Sequence, residues 1–298
     1  MSDRKGGQVR RFRLDLGYDG TDFHGWARQP GLRTVQGTLE EAVGLLLGSG
    51  SRFDLVVAGR TDAGVHARHQ VAHVDIPDTA RLFQGPDGGV QTAAELIERR
   101  LGSLLRRDPD LVVHGVQEVD ESFDARFSAT GRRYVYRVAD AQSVSDPLRR
   151  RDTLVLGHVR LDEDAVAEAS AALLGYHDWA AFAKPRDGAT TWRTLREFSW
   201  NRDGSGVLEA SVAADAFCHH MVRYLVGAAL AAGRGVHTAQ TLVRIRDSGV
   251  HGRGITVVPA HGLTLVDVTY PSSAAECWAQ AQRARARRSP GTSETSRG

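Results

Sequence analysis

Val57-Ala-Gly-Arg-Thr-Asp-Ala-Gly-Val-His-Ala67 lies between two apolar runs, Leu55-Val-Val-Ala58 and Gln70-Val-Ala-His-Val-Asp-Ile76. Each run reads as a strand, so the stretch is a strand-turn-strand unit. Gly59 and Gly64 within six residues permit positive φ and close approach of a neighbouring backbone. The turn carries one cation, Arg60, and one carboxylate, Asp62. Turns held by two strands often present reactive groups. An aspartate in a turn also often bonds nearby backbone N–H groups, and an arginine two residues away is often a solvated partner. The unit sets the local architecture and leaves the role of Asp62 open.

Upstream, Phe12, Leu14, Leu16 and Tyr18 alternate with Arg11, Arg13, Asp15 and Gly17, the period of a half-buried strand. Asp19 to Gly31 is a long turn-rich segment with aromatic and hydrogen-bonding side chains, as expected of a functional loop. Thr34 is placed to cap a helix running to Leu47, with Leu39, Val43 and Leu46 on one face. Downstream, 79–90 reads as loop, 93–105 as a basic helix and 111–119 as a strand. The order β-α-β-β-α-β calls for an antiparallel sheet with helices on one face.

The strand pattern returns at Arg132–Val138, and Asp146-Pro147 through Arg151 marks a hinge into the second half. A helix over 162–174 follows, then strands over 192–200 and 206–213. A helix from Cys218 or His219 to Ala232, a shorter one near 239–246 and a strand over 263–270 complete a second β-α-β-β-α-β. The expected fold is therefore α/β of the α+β type: two ferredoxin-like halves sharing a mainly antiparallel sheet, with helices on one face and a central cleft. Residues 10–130 form the half with Asp62 and residues 131–271 the half with Arg223. Residues 1–9 are expected to be disordered. So is the basic tail 272–298, with a basic helix over 276–288 as the alternative.

The chain has 298 residues, 41% hydrophobic and 25% charged, ordinary for a globular protein with ample core. No apolar signal segment opens it, and no stretch is long enough to cross a bilayer. Two cysteines, Cys218 and Cys277, make neither a disulfide framework nor a zinc pattern, and a cytoplasmic setting is expected. Net charge is +2. Five arginines against two glutamates from Pro271 onward account for +3, leaving about −1 on residues 1–270. Clusters on that body, at Arg99-Arg100, Arg106-Arg107, Arg132-Arg133 with Arg137, and Arg149-Arg150-Arg151, hint at a polyanionic partner.

His66, His69 and His73 have metal-like spacing, but His66 does not share the strand face of the other two, and no cysteine pair or paired carboxylate completes a site. Neither a phosphate-binding loop nor a nucleophile elbow is present. In Phe217-Cys-His-His-Met-Val-Arg-Tyr-Leu-Val-Gly227, Val222, Leu225, Val226 and Ala229 make an apolar stripe with Arg223 at its edge. Arg223 either snorkels to solvent or faces a cleft to neutralise a carboxylate.

Five ordered stretches together resemble the tRNA pseudouridine synthase A family, across roughly residues 11–270. They are Tyr18-Asp-Gly-Thr21 with Gly25-Trp26, Gln29-Pro30 and Thr34-Val-Gln-Gly37; Gly59 to Ala67 with Gln70-Val71; Phe123 to Thr130 followed by Arg133-Tyr-Val-Tyr136; Ala214 to Arg223 with Val226-Gly227; and Pro259 with Gly262-Leu263. The resemblance implies an enzyme that converts uridine to pseudouridine at tRNA positions 38, 39 and 40 in the anticodon stem-loop. It implies no metal, no organic cofactor and a homodimer whose tRNA contacts both subunits. By match of motif, Asp62 is the nucleophile, Arg60 its neighbour, Tyr134 the ring stacking on the flipped uracil with Tyr136 as alternative, and Arg223 the salt-bridge partner of Asp62. Tyr18, Asp19, Gly20, Trp26, Gln29, Thr61, Gly64, His66, Arg126 and His220 are the further substrate-binding candidates. Whether Asp62 attacks C1′ or C6 stays open. A non-catalytic RNA-binding module on the same fold is the rival. The insert at 78–89 departs from the family pattern.

Overall fold

The computed structural model describes residues 9–48, 53–80, 92–144, 146–186, 188, 190–251 and 254–286. Its first half comprises β1 (Val9–Tyr18), α1 (Val35–Leu46), β2 (Val56–Val57), β3 (His66–Pro77), α2 (Ala93–Leu104) and β4 (Leu111–Val119). The second half comprises β5 (Gly131–Ala139), β6 (Leu154–Val155), α3 (Glu163–Ala171), β7 (Gly175–Asp178), β8 (Trp192–Arg202), β9 (Leu208–Ala214), α4 (Met221–Gly233), α5 (Ala239–Asp247) and β10 (Leu263–Thr269). Helix α6 (Ala274–Ala286) follows.

These strands form one sheet in the order β4-β1-β3-β10-β5-β9-β8-β7, with β2 on β3 and β6 on β5. Taken alone, the halves read β4-β1-β3-β2 and β10-β5-β9-β8. Setting β6, β7 and α5 aside as additions, both follow the order fourth, first, third, second, so the ferredoxin-like pattern occurs twice. The pairs are antiparallel except β6 on β5 and the central seam, where β10 runs parallel to β3 through Thr264↔His66 and Leu265↔Ala67. The seam places the last strand beside the strand that leaves the Asp62 turn.

Local chemistry explains the element boundaries. The Thr34 hydroxyl accepts the Gly37 N–H at 3.2 Å and starts α1. Thr92 and Glu95 form a reciprocal capping box on α2, and Asp162 caps α3 through Ala165. Such caps stabilise a helix by about 1 kcal/mol each. Phe12, Leu14 and Leu16 of β1 are fully buried, as period-two alternation requires.

Two expectations change. The first half of the basic tail is the ordered α6, so the helix alternative over 276–288 describes it and the disordered reading does not. Its Cys277 and Ala281 are buried and the Ser128 hydroxyl donates to the Cys277 carbonyl at 3.0 Å. Small residues carry that docking face, so the tail lacks a large-apolar pattern. The cluster of Arg132, Arg133 and Arg137 does not face a polyanionic partner as a whole: Arg132 and Arg137 are buried, and Arg137 pairs with Glu209 and Asp152 inside the second half. Expectations on residues 1–8, most of the 78–89 insert and residues 287–298 fall outside the described residues. Among the described residues no helix is long and apolar enough to cross a membrane.

Candidate active site

The turn between β2 and β3 rests on the Asp19–Gly31 loop. The Tyr18 and Thr61 hydroxyls bond at 2.8 Å, and the Gln70 amide donates to the Gly59 carbonyl at 2.9 Å. Trp26 N–H donates to the Thr61 carbonyl at 3.0 Å. A Cβ on Gly20 would lie 2.0 Å from the Val65 carbonyl oxygen, so only glycine allows the loop this close. His66 accepts the Gly20 N–H on Nδ1 at 3.0 Å, and its Nε2 lies 2.7 Å from the Arg151 carbonyl. Burial pushes the Tyr18 phenol up to about 12, against the hydrogen bonds from Thr61 and Gln70, so it stays a neutral support. Burial alone would raise Asp19, yet hydrogen bonds from Thr21 and Arg151 hold it below the usual carboxylate range.

Asp62 stands on this bed with its side chain 26% exposed. Its main-chain carbonyl accepts the Val65 N–H, while its carboxylate turns to the second half. Arg223, on the first turn of α4, donates from Nη1 to Oδ2 at 3.4 Å and from Nε to the Val258 carbonyl at 2.8 Å. Gly227, one turn further on, lets the 255–258 segment come this close: a Cβ there would lie 2.0 Å from the Thr256 carbonyl oxygen. The snorkelling alternative for Arg223 is thereby excluded. His219 Nε2 is 3.4 Å from Oδ1 and His220 Nε2 is 3.2 Å from Oδ2. His220 adopts φ 62°, the left-handed region, and is the one non-glycine residue with positive φ among those described. Strain of this kind concentrates at functional sites. Burial lowers the His220 pKa, Asp62 opposes that, and His219, Arg223 and Lys184 reinforce it.

Tyr134 faces the same space. Its ring meets Phe217 edge-on at 5.2 Å. Burial raises its phenol, with Tyr18 and Asp62 adding and Arg132 opposing. No hydrogen bond to its hydroxyl is made among the described residues. Tyr136, on the same strand face, is fully buried with its hydroxyl on the Pro259 carbonyl at 2.8 Å, so it does not line the opening.

Several candidates therefore lie beneath the site rather than on it. Tyr18, Trp26, Thr61 and His66 are buried, and Gly20 and Gly64 (φ 79°) shape the backbone. Gln29 donates to the His24 carbonyl and lines a groove of about 1000 Å³ between the Arg28–Thr34 loop, α1 and Leu104–Asp108, which holds no residue around Asp62. Arg60 and Arg126 are exposed. The Arg126 pKa is lowered by burial and then by the charges of Arg60 and Arg186, which come from two other segments. Motif reading of individual roles passed over His219 and Phe217, although both sit in the quoted Phe217–Gly227 stretch.

His66, His69 and His73 do not form a metal site. His69 bonds Asp15 and the His73 ring accepts the Ala125 N–H. The donors that do converge are Asp62, His219 and His220, within 4.8 Å of one another. The Arg223 guanidinium already occupies Oδ2, and a metal ion there would face its charge. The set suits an ion pair better than a metal.

A family model described as tRNA pseudouridine synthase matches residues 169–271. The tRNA pseudouridine synthase A of Leifsonia xyli subsp. xyli is 51% identical over 90% of this chain and 94% of its own length. That of Frankia casuarinae is 50% identical over 95% and 97%. A chain of a solved Cbf5–Nop10–Gar1 complex is 11% identical with a TM-score of 0.34, over 86% of this chain and 58% of that one, and bears no weight here.

Proposed function

The chain belongs to the tRNA pseudouridine synthase A family, isomerases of uridine in tRNA, and from that premise we propose that it acts at positions 38, 39 and 40 of the anticodon stem-loop with Asp62 as nucleophile. One observation carries the assignment of the nucleophile. The Asp62 carboxylate is not consumed by its own turn and meets Arg223 from the other half, on the same segment as Phe217, whose ring is edge-on to Tyr134.

The reaction breaks C1′–N1 and forms C1′–C5 in the same nucleotide; C5 releases its proton and N1 gains one. No external group moves, and the ionised carboxylate supplies a nucleophile at either C1′ or C6. Arg223 gives that carboxylate a charged partner once bound RNA excludes water. The target base must leave its stack, and the Tyr134 ring with Phe217 beside it offers an aromatic replacement. Arg60, Arg126 and Arg186, on this reading, take the phosphates flanking the extruded nucleotide. On this reading the working form is a cytoplasmic homodimer that needs no organic cofactor.

The test is tritium release from tRNA labelled at uracil C5, with wild-type protein and Asp62→Asn in parallel. Wild type releases tritium, and Asp62→Asn does not while still binding tRNA. Binding without release by either protein would replace this reading with that of a non-catalytic RNA-binding module.

A further inference from the structure

Arg132, at the start of β5, is 8% exposed and has no carboxylate partner among the described residues. Burial lowers its pKa, yet a guanidinium keeps its proton even there. Its Nη1 and Nη2 donate to backbone carbonyls. Nη2 donates to Ala58 at 2.8 Å and Arg126 at 2.9 Å; Nη1 donates to Asp215 at 2.8 Å and Ala129 at 3.5 Å.

Those carbonyls belong to three chain segments distant in sequence, and each leads straight into the site. Ala58 stands at the start of the turn, four residues before Asp62. Arg126 and Ala129 belong to the turn that presents the Arg126 side chain. Asp215 introduces Phe217, His219, His220 and Arg223. Carbonyl oxygens converging in a dry interior repel one another unless donors satisfy them, and here one guanidinium supplies those donors. A planar fork with five N–H groups can reach all of them, whereas an ammonium is a single point.

We propose that Arg132 is a positioning residue of the isomerase reaction, setting the spacing between the Asp62 turn and the segment that carries Arg223. It touches neither substrate nor carboxylate, and it acts through the three main chains it ties. This rests on the assignment of Asp62 as nucleophile.

The experiment compares Arg132→Lys and Arg132→Met with wild type and Asp62→Asn. It reads kcat and KM on tRNA, melting, and amide hydrogen exchange. Arg132→Lys keeps the charge and loses the fork, so kcat falls about 100-fold, the scale of a small misplacement of reacting groups. KM stays within about threefold, because tRNA contacts elsewhere are kept. Exchange speeds up at 59–65 and 215–220 while β5 keeps its protection. A folded Arg132→Lys or Arg132→Met protein with wild-type kcat and wild-type exchange in those segments overturns the proposal. Loss of the whole fold in both variants overturns it in favour of a purely structural role. If wild type itself releases no tritium, the assigned reaction has failed, and the exchange readout still judges whether Arg132 holds the segments.

Discussion

The β2–β3 turn of the first half and the β8–β9 turn of the second occupy the same place in their repeated units, and each carries an aspartate. Asp203 closes its own turn: Oδ1 accepts Ser205 N–H at 2.9 Å, the Ser205 hydroxyl at 2.7 Å and Val207 N–H at 3.0 Å. The Ser205 hydroxyl first, and then backbone N–H groups, hold its carboxyl below the usual range. Asp62 has no such local duties. Its turn is stabilised from outside by Tyr18, Gln70 and the Gly20 loop, which leaves the carboxylate for Arg223. An aspartate in a turn is a structural residue where it bonds its own turn. It becomes available for chemistry where a neighbouring segment takes over that work.

The largest expected effect tests the partner from the other half. Arg223→Met should cost about 10³-fold in kcat, the upper range for losing a preorganised electrostatic contact, with KM little changed. Wild-type kcat in that variant would erase the distinction between the turns. Gly20→Ala attacks the external support, since its Cβ would meet the Val65 carbonyl at 2.0 Å. We expect about a 10²-fold loss of kcat at retained tRNA binding, read in single-turnover kinetics.

Acid should weaken the first half through β3. Burial, helped by Arg11 and opposed by Asp124 and Asp75, pushes His73 down to about 4. Its ring accepts the Ala125 N–H at 3.0 Å, a bond that protonation breaks. The unfolded chain takes that proton near pH 6.5, so the contribution is whole above 6.5 and is lost as pH falls toward 4. Urea unfolding should show about 2 kcal/mol less stability at pH 5 than at pH 7 from this residue, and His73→Gln should remove that part of the slope. The smallest effect belongs to Asp203→Ala. It should lower Tm by roughly 2 °C, about 1 kcal/mol, with kcat unchanged. A loss of turnover there would mean the second turn also serves the site.

Much of this was readable from local pattern. β4 spans the 111–119 run as expected, and Thr34 starts α1 because an N-cap is a property of adjacent residues. The pairing of Asp62 with Arg223, 161 positions apart, was legible through family resemblance and through one arginine edging an apolar stripe. The interior roles of Arg132 and Trp26 were not. A charge satisfied by carbonyls from remote segments has no local signature, and an aromatic beneath a loop reads like one on its surface. For α6 only the helix itself was legible, as the alternative over 276–288; its docking was not, because it packs through Cys277 and Ala281, residues too small to set an apolar period.

The seam between β3 and β10 also governs when the site comes into existence. β3 is translated early, but its neighbour across Thr264↔His66 and Leu265↔Ala67 is the last strand of the sheet. While the ribosome works through the second half, the nascent first half holds Asp62 with neither Arg223 nor that neighbour, and one sheet edge stays unpaired and prone to mispairing. A fragment ending before residue 263 therefore carries Asp62 beside an open edge. Premature termination yields a sticky, unfinished sheet in place of a weak enzyme.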